Sequence, residues 1–261
     1  MEDREMCLIL LSYGMHDRYH LILAANRDEF YERPSLSVSL WDNAPGVIAG
    51  KDLQRGGTWL GITKTGRLAM LTNYREQPPF GQNAPSRGWL VRDFLCGQEE
   101  PKAYLEKIEV ERFEYNGFSL ILGDMNHLFY ISNRGNMVEL SPGLYGLSNR
   151  LLNTPWPKIK RGKEALGLLL SRSDNLLPED IFHILADRSR PRDEELPDTG
   201  VGLEWERILS SIFITSPKYG TRSSSVIMID RRNHIMFIER VFNNHPDPWM
   251  EVKFEFTIHE K

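Results

Sequence analysis

The sequence predicts an α+β protein in which antiparallel sheets are covered by helices as a layered sandwich. Two observations carry that reading. Four pairs of apolar, β-rich runs each flank a short polar or glycine-containing turn, the pattern of antiparallel hairpins. Runs with apolar residues at helical spacing fall in blocks between those pairs, which argues against alternating βαβ winding.

The first hairpin pairs Cys7–Tyr13 with Tyr19–Ala25 around Gly14–Arg18, and the second pairs Thr58–Thr63 with Arg67–Asn73 across Lys64-Thr65-Gly66. A third joins Phe118–Leu122 to Leu128–Ser132 through Asp124-Met125-Asn126, and a fourth joins Ser223–Ile229 to Ile235–Val241 through Arg231-Arg232-Asn233. A helix is expected over Ser86–Leu95, with Ser86 as N-cap and Leu90, Val91, Phe94 and Leu95 on one face, and another over Pro101–Ile108. Pro157 can open a helix running to about Leu170, and Pro178 precedes Ile181, Phe182 and Leu185 at apolar-face spacing. The proline-bearing stretches Gln77–Pro85 and Arg190–Asp198 have the length of loops, so residues 7–261 are expected to form a single domain behind a 1–6 extension.

Of the 261 residues 41% are hydrophobic and 26% charged, which excludes a disordered chain, and a net charge of −4 with scattered basic residues gives no footprint for nucleic acid. The longest apolar stretches, Cys7–Leu11 and Leu21–Ala25, are too short to cross a bilayer as helices, and the residues before them do not form a charged-then-apolar run, so no secretory leader is expected. Two cysteines, Cys7 and Cys96, fit a reducing compartment, and a cytoplasmic location is expected. The seven histidines, His16, His20, His127, His183, His234, His245 and His259, show no pair at the spacing of a local zinc motif, so no metal is expected.

The first hairpin also carries chemistry. Two nearly equal runs around one turn place Cys7, at the start of the first, beside the end of the second, where Asn26-Arg27-Asp28 emerges. A neighbouring guanidinium favours a thiolate, and a carboxylate can orient the guanidinium or an amine. By local pattern alone the commoner case is a small buried cysteine beside a strand-end ion pair. Trp59 and Tyr74 could wall an apolar ligand, although aromatic residues on strands usually fill cores. Gly56-Gly57 and Gly61, around Trp59, more often solve a turn than admit a ligand.

Six ordered motifs stand out: Leu23–Tyr31 with Arg33-Pro34, Gly56–Gly61, Leu71–Arg75, Tyr115–Phe118, Tyr145–Asn149 with Thr154-Pro155-Trp156, and Tyr219–Ser224. In these runs the chain resembles the Transport and Golgi organisation 2 (NRDE-motif) family, which in turn is similar to N-terminal-nucleophile hydrolases, especially penicillin and bile-salt amide hydrolases. The resemblance implies a four-layer αββα sandwich. It also implies Cys7 as nucleophile, Arg27 and Asp28 beside it, Asn149 in an oxyanion hole and Arg222 polarising the site, with Asn26, Trp59, Asn73 and Tyr74 as pocket candidates. By local pattern alone Asn149 reads as an Asx turn ahead of the Pro155-Trp156-Pro157 helix entry, and the plainer reading of Arg222 is an outward surface pairing.

A terminal cysteine would supply its own base, an α-amine near pKa ~8, and hydrolysis would need no cofactor. Here Met1–Met6 precedes Cys7, whose nitrogen in this chain is a peptide amide. Two expectations follow from the resemblance: an amide hydrolase, or a carrier that moves haem or handles acyl-CoA and other lipids in the same cleft. Neither a Cys-x-x-Cys-His run nor a Cys-Pro dipeptide is present to fix haem ligation. The family name adds a third expectation, a secretory-pathway organisation factor, for which no membrane-attachment motif is visible.

Overall fold

The computed structural model describes residues 6–76, 81, 83–172, 175–242, 247 and 249–258. Residues 1–5 of the expected extension, part of the Gln77–Pro85 loop, His245 and His259 lie outside the described residues. The first sheet contains β1 (Met6–Tyr13), β2 (Tyr19–Phe30), β10 (Gly143–Ser148), β11 (Tyr219–Asp230), β12 (His234–Phe242) and β13 (Trp249–Thr257), ordered β10-β1-β2-β11-β12-β13. The second contains β3 (Ser35–Leu40), β4 (Val47–Asp52), β5 (Leu60–Thr63), β6 (Leu68–Asn73), β7 (Phe118–Gly123), β8 (Leu128–Ser132) and β9 (Val138–Glu139), in chain order. All four expected hairpins form, and every recorded strand pairing is antiparallel.

Alternation along the strands builds the layers. In β1, Ile9 and Leu11 face the second sheet, where they meet Ile62, Met70 and Ile121 in the inter-sheet core. Leu8 and Leu10 face the other way, into a layer containing Ile159 and Leu166 of α3 (Pro157–Arg172) and Ile181 and Phe182 of α4 (Pro178–Leu185). On the far side, Ala69, Leu71 and Leu120 pack against Val91 and Phe94 of α1 (Gly88–Cys96) and Leu105 of α2 (Pro101–Glu111). The result is the αββα sandwich, each fully buried Leu or Ile contributing about 1.5–3 kcal/mol of burial free energy. A fifth helix, α5 (Leu203–Leu209), packs Trp205 edge-on against Tyr219 at the start of β11, ring centroids 5.9 Å apart. Among the described residues no helix is long and apolar enough to cross a membrane.

Two local expectations change. The first hairpin pairs Tyr13 with Leu21 and Cys7 with Arg27, and β2 continues to Phe30. Its register therefore lies two residues beyond the one equal runs imply, and an even shift leaves every side chain on its expected face. The first helix begins at Gly88, with Arg87 at the N-cap position and no side-chain cap, so Ser86 does not serve as N-cap.

Backbone contact decides that helix start. A Cβ on Gly57 would lie 2.6 Å from the Gly88 carbonyl carbon, and Thr58 N donates to Gly88 O at 3.2 Å. Gly57 thus serves a close approach of two backbones rather than a turn. At the helix's other end, the Arg67 guanidinium donates to Phe94 O and Glu99 O and lies 4.0 Å over the Phe94 ring, satisfying terminal carbonyls. Gly57→Ala is expected to push α1 off the β4–β5 connection and cost about 1–3 kcal/mol, read as a lower denaturant midpoint at unchanged m-value.

Candidate active site

A cleft of about 1090 Å³ opens where the two sheets end, lined by residues from both. Cys7, Arg27, Asp28, Asn149 and Arg222 all line it, as do Trp59, Asn73 and Tyr74. Strand pairing makes the assembly: Cys7 lies opposite Arg27, Asp28 opposite Thr221, and Leu8 opposite Ser148, so Asn149 follows directly beside the cysteine end of β1. The thiol is buried, 8% exposed, at the cleft wall. Cys96, the second cysteine, is exposed, and both are free thiols.

Asn149 has φ 23°, in the left-handed region that Asn tolerates better than most residues. Its Nδ2 donates to Asn73 O at 3.0 Å, and its carbonyl accepts from Arg75 N at 2.8 Å. That clamp ties the end of β10 in one sheet to the end of β6 in the other. Arg222 sits at a register shift between Thr221 and Ser223, and its Nη1 donates to the carbonyls of Phe30, Tyr31 and Arg33 at 2.9–3.1 Å. It braces the turn after β2, with burial and then the nearby Arg27 lowering its pKa. The Arg27 guanidinium lies 3.8 Å from Glu29.

Asn26 is not in the cleft. Its Nδ2 donates to Leu185 O and Ile212 O, and its Oδ1 accepts from Ser224 Oγ, on the helix-facing side of the sheet. The pocket expectation for Asn26 is therefore corrected: alternation turns residue 26 away from the face that carries residues 7, 25 and 27. Trp59 packs partly into the inter-sheet core, and the Arg150 guanidinium lies 4.9 Å from the Tyr74 ring, so both aromatic residues combine packing with cleft lining.

Behind the cysteine lies a charged cluster that the sequence reading did not single out. Asp28 is 1% exposed, accepts from Thr221 Oγ1 at 2.6 Å, and has its pKa pushed up to about 6 by burial, against the opposing pull of Lys158. Lys158, 2% exposed in the first turn of α3, has its pKa lowered to about 8, again by burial and against the pull of Asp28. Arg75 Nη1 donates to Glu206 Oε2 at 2.8 Å and to Thr199 Oγ1, closing the cleft on the α5 side. The signal for Lys158 was present: a lysine on the stripe Lys158, Gly162, Leu166 of a helix whose other members are buried.

Two antiparallel sheets between helical layers, with a cysteine entering a cleft from the first strand, define an N-terminal-nucleophile-hydrolase-like fold. Solved structures agree. A mutant conjugated bile acid hydrolase from Clostridium perfringens superposes with a TM-score of 0.53 at 8% identity, covering 95% of this chain and 92% of that one. A Caenorhabditis elegans N-acylethanolamine-hydrolyzing acid amidase ortholog gives a TM-score of 0.50 at 10% identity, covering 92% and 94%. The chain itself belongs to the Transport and Golgi organisation 2 family, whose model matches residues 6–244. Transport and Golgi organization protein 2 homologs from Bos taurus and Homo sapiens are 40% and 37% identical to it, in each case over 97% of this chain and 99% of the relative. The Drosophila melanogaster Transport and Golgi organization protein 2 is 29% identical over 90% of this chain and 91% of its own length.

Proposed function

We propose that this protein is a cysteine hydrolase of a non-peptide amide bond, with Cys7 as nucleophile. The observation that supports this most is the arrangement of Cys7, Arg27, Asp28 and Asn149 on one wall of a large cleft at the joined ends of two sheets. The substrate class is taken from the activities named for the two solved neighbours. The Cys7 thiolate attacks the carbonyl carbon, the C–N bond breaks, and the amine leaves with a proton while an acyl thioester remains. Water then adds to the thioester, the C–S bond breaks, and the acid and the thiol are released. Asn149, its amide fixed by Asn73 O, is assigned as oxyanion donor, and Arg27 as the cation favouring thiolate. Where residues 1–6 are removed, the Cys7 α-amine accepts the thiol proton.

The test is intact-mass measurement of the native chain before and after exposure to a panel of N-acyl amides. The expected result is an acyl adduct on Cys7 that survives Cys96→Ala and vanishes in Cys7→Ala together with amine release. Amine release unchanged in Cys7→Ala would end the proposal. The same native mass shows whether residue 7 is ever first.

The cleft volume favours a second reading. About 1090 Å³ lies just above the usual range for small-molecule sites, roughly 300–1,000 Å³, and suits a bulky cargo such as haem or an acyl-CoA. Cys7, Tyr74 and Met250 are the lining side chains of haem-ligating type. A Soret shift on haem titration that persists in Cys7→Ala would favour this carrier and remove the main support for the nucleophile.

A further inference from the structure

Strand register lays one row of side chains across the floor of the cleft. Cys7 on β1 pairs with Arg27 on β2, Arg27 with Ser223 on β11, Ser223 with Val241 on β12, and Val241 with Met250 on β13. All five line the cleft, and each shares the strand parity of an inter-sheet core residue on its own strand: Ile9, Ala25, Ile227, Phe237 and Val252 respectively. At a strand spacing of about 4.8 Å, Arg27, Ser223, Val241 and Met250 stand roughly 5, 10, 14 and 19 Å from Cys7. The next row inward is Ile9, Ala25, Ser225, Glu239 and Val252. Its first four members are buried, and Glu239 accepts from Val38 N at 2.7 Å, which joins the two sheets behind the floor.

Polarity falls along the row. At the Cys7 end the Asn149–Asn73 clamp crosses between the sheets, and Arg27 and Ser223 follow. The far end is apolar and open: Val241 is half-buried, Met250 is 51% exposed, and Leu36 of β3, 53% exposed, lines the same cleft. We propose that this row seats an elongated, unbranched amphiphile. Its amide lies at Cys7, its hydrogen-bonding groups lie over Arg27 and Ser223, and its apolar tail runs over Val241 to Met250. The hydrolase reading is what places the amide at Cys7; the tail subsite stands on register, parity and exposure. A floor one row wide and closed behind selects for length rather than girth. Val241 and Met250 are thus specificity-determining residues, and the tail is what they select.

The experiment compares the rates at which N-ethylmaleimide and N-decylmaleimide modify Cys7 in the full chain carrying Cys96→Ala, read by intact mass. In both reagents the sulfur adds across the maleimide double bond and a proton goes to the neighbouring carbon, so their rate ratio on one protein isolates the tail. The decyl reagent is expected to react about ten-fold faster or more, because each methylene withdrawn from water favours association about four-fold. Met250→Glu should lower that ratio about five-fold, the loss of one half-covered apolar side chain from the tail's path, and Met250→Leu should keep it. Met250 is half exposed, so neither substitution opens the core. Leu168→Glu, on α3 at 47% exposure and outside the cleft lining, controls for adsorption of the reagent to any apolar surface. A parent ratio near one, a ratio unchanged by Met250→Glu, or one lowered as far by Leu168→Glu overturns the subsite. No amide is cleaved in these measurements, so a failed subsite is read apart from a failed hydrolase, which shows as amine release persisting in Cys7→Ala.

Discussion

Arg75→Ala is expected to lower the unfolding free energy by about 3 kcal/mol, the low end of what breaking a buried ion pair costs, and Tm by roughly 6–12 °C for a chain of this size. Both partners are buried, Arg75 at 8% and Glu206 at 4% side-chain exposure, so solvent does not screen the loss. Truncation strands the Glu206 carboxylate, leaving it Thr199 N and Thr199 Oγ1 as donors. Lys158, which already feels Glu206, compensates in part, and for that reason the low end of the range applies. The guanidinium also lies 4.9 Å from the Trp156 ring, a contact worth a further fraction of a kcal/mol. Glu206→Gln in the Arg75→Ala background should recover part of the loss, because a neutral amide costs less to bury unpaired. Recovery absent, or a Tm within 2 °C of the parent for Arg75→Ala, would show that the pair does not hold α5 to the cleft.

The second large effect has the opposite sign. Asp28→Asn/Lys158→Met is expected to stabilise the protein by about 1–4 kcal/mol at pH 7, since two buried charges without a direct hydrogen bond between them are replaced by neutral groups of similar size. Its pH dependence follows from the two shifts. Asp28 has a folded pKa raised from 3.8 to about 6, so its favourable contribution is complete below 3.8 and is lost as pH rises through 6. Lys158 has a folded pKa lowered from 10.5 to about 8, so its favourable contribution is complete above 10.5 and is lost as pH falls through 8. Between about 6 and 8 both groups are charged and both penalties apply. Urea unfolding at pH 4, 7 and 8 should therefore show the double variant's advantage at pH 7 and its decline toward pH 4. An advantage independent of pH would mean that packing, and not buried charge, sets the difference.

These two expectations describe one design. Stability lost at the Asp28–Lys158 pair lies beside the proposed nucleophile, while Arg75–Glu206 holds the adjoining wall. Strained or costly polar groups retained next to a cleft are where function is sought first.

Much of this was legible in the chain. The four hairpins were visible because each joins apolar runs through a turn with its own chemistry, and α3 and α4 because Pro157 and Pro178 open them ahead of apolar stripes. β13 was readable but unread: Val252, Phe254 and Phe256 alternate with Glu251, Lys253 and Glu255, and the apolar set packs on the inter-sheet core. β3 was likewise readable but unread, since Leu36, Val38 and Leu40 alternate with Ser35, Ser37 and Ser39, whereas the two-residue strand β9 is too short to separate from loop. Asn26 was misplaced because a motif groups neighbours in sequence, whereas a strand sends adjacent side chains to opposite faces.

The chain by itself determined its family, its hairpins and the juxtaposition of Cys7 with Arg27, because local turn chemistry and strand parity are properties of short segments. Only the tertiary structure decided that Lys158, Arg75 and Glu206 surround the cysteine end of β1, since they come from α3, the segment after β6 and α5. Burial turns those three from ordinary surface-type residues into interacting charges, and burial is set by the packing of layers, which no single segment encodes.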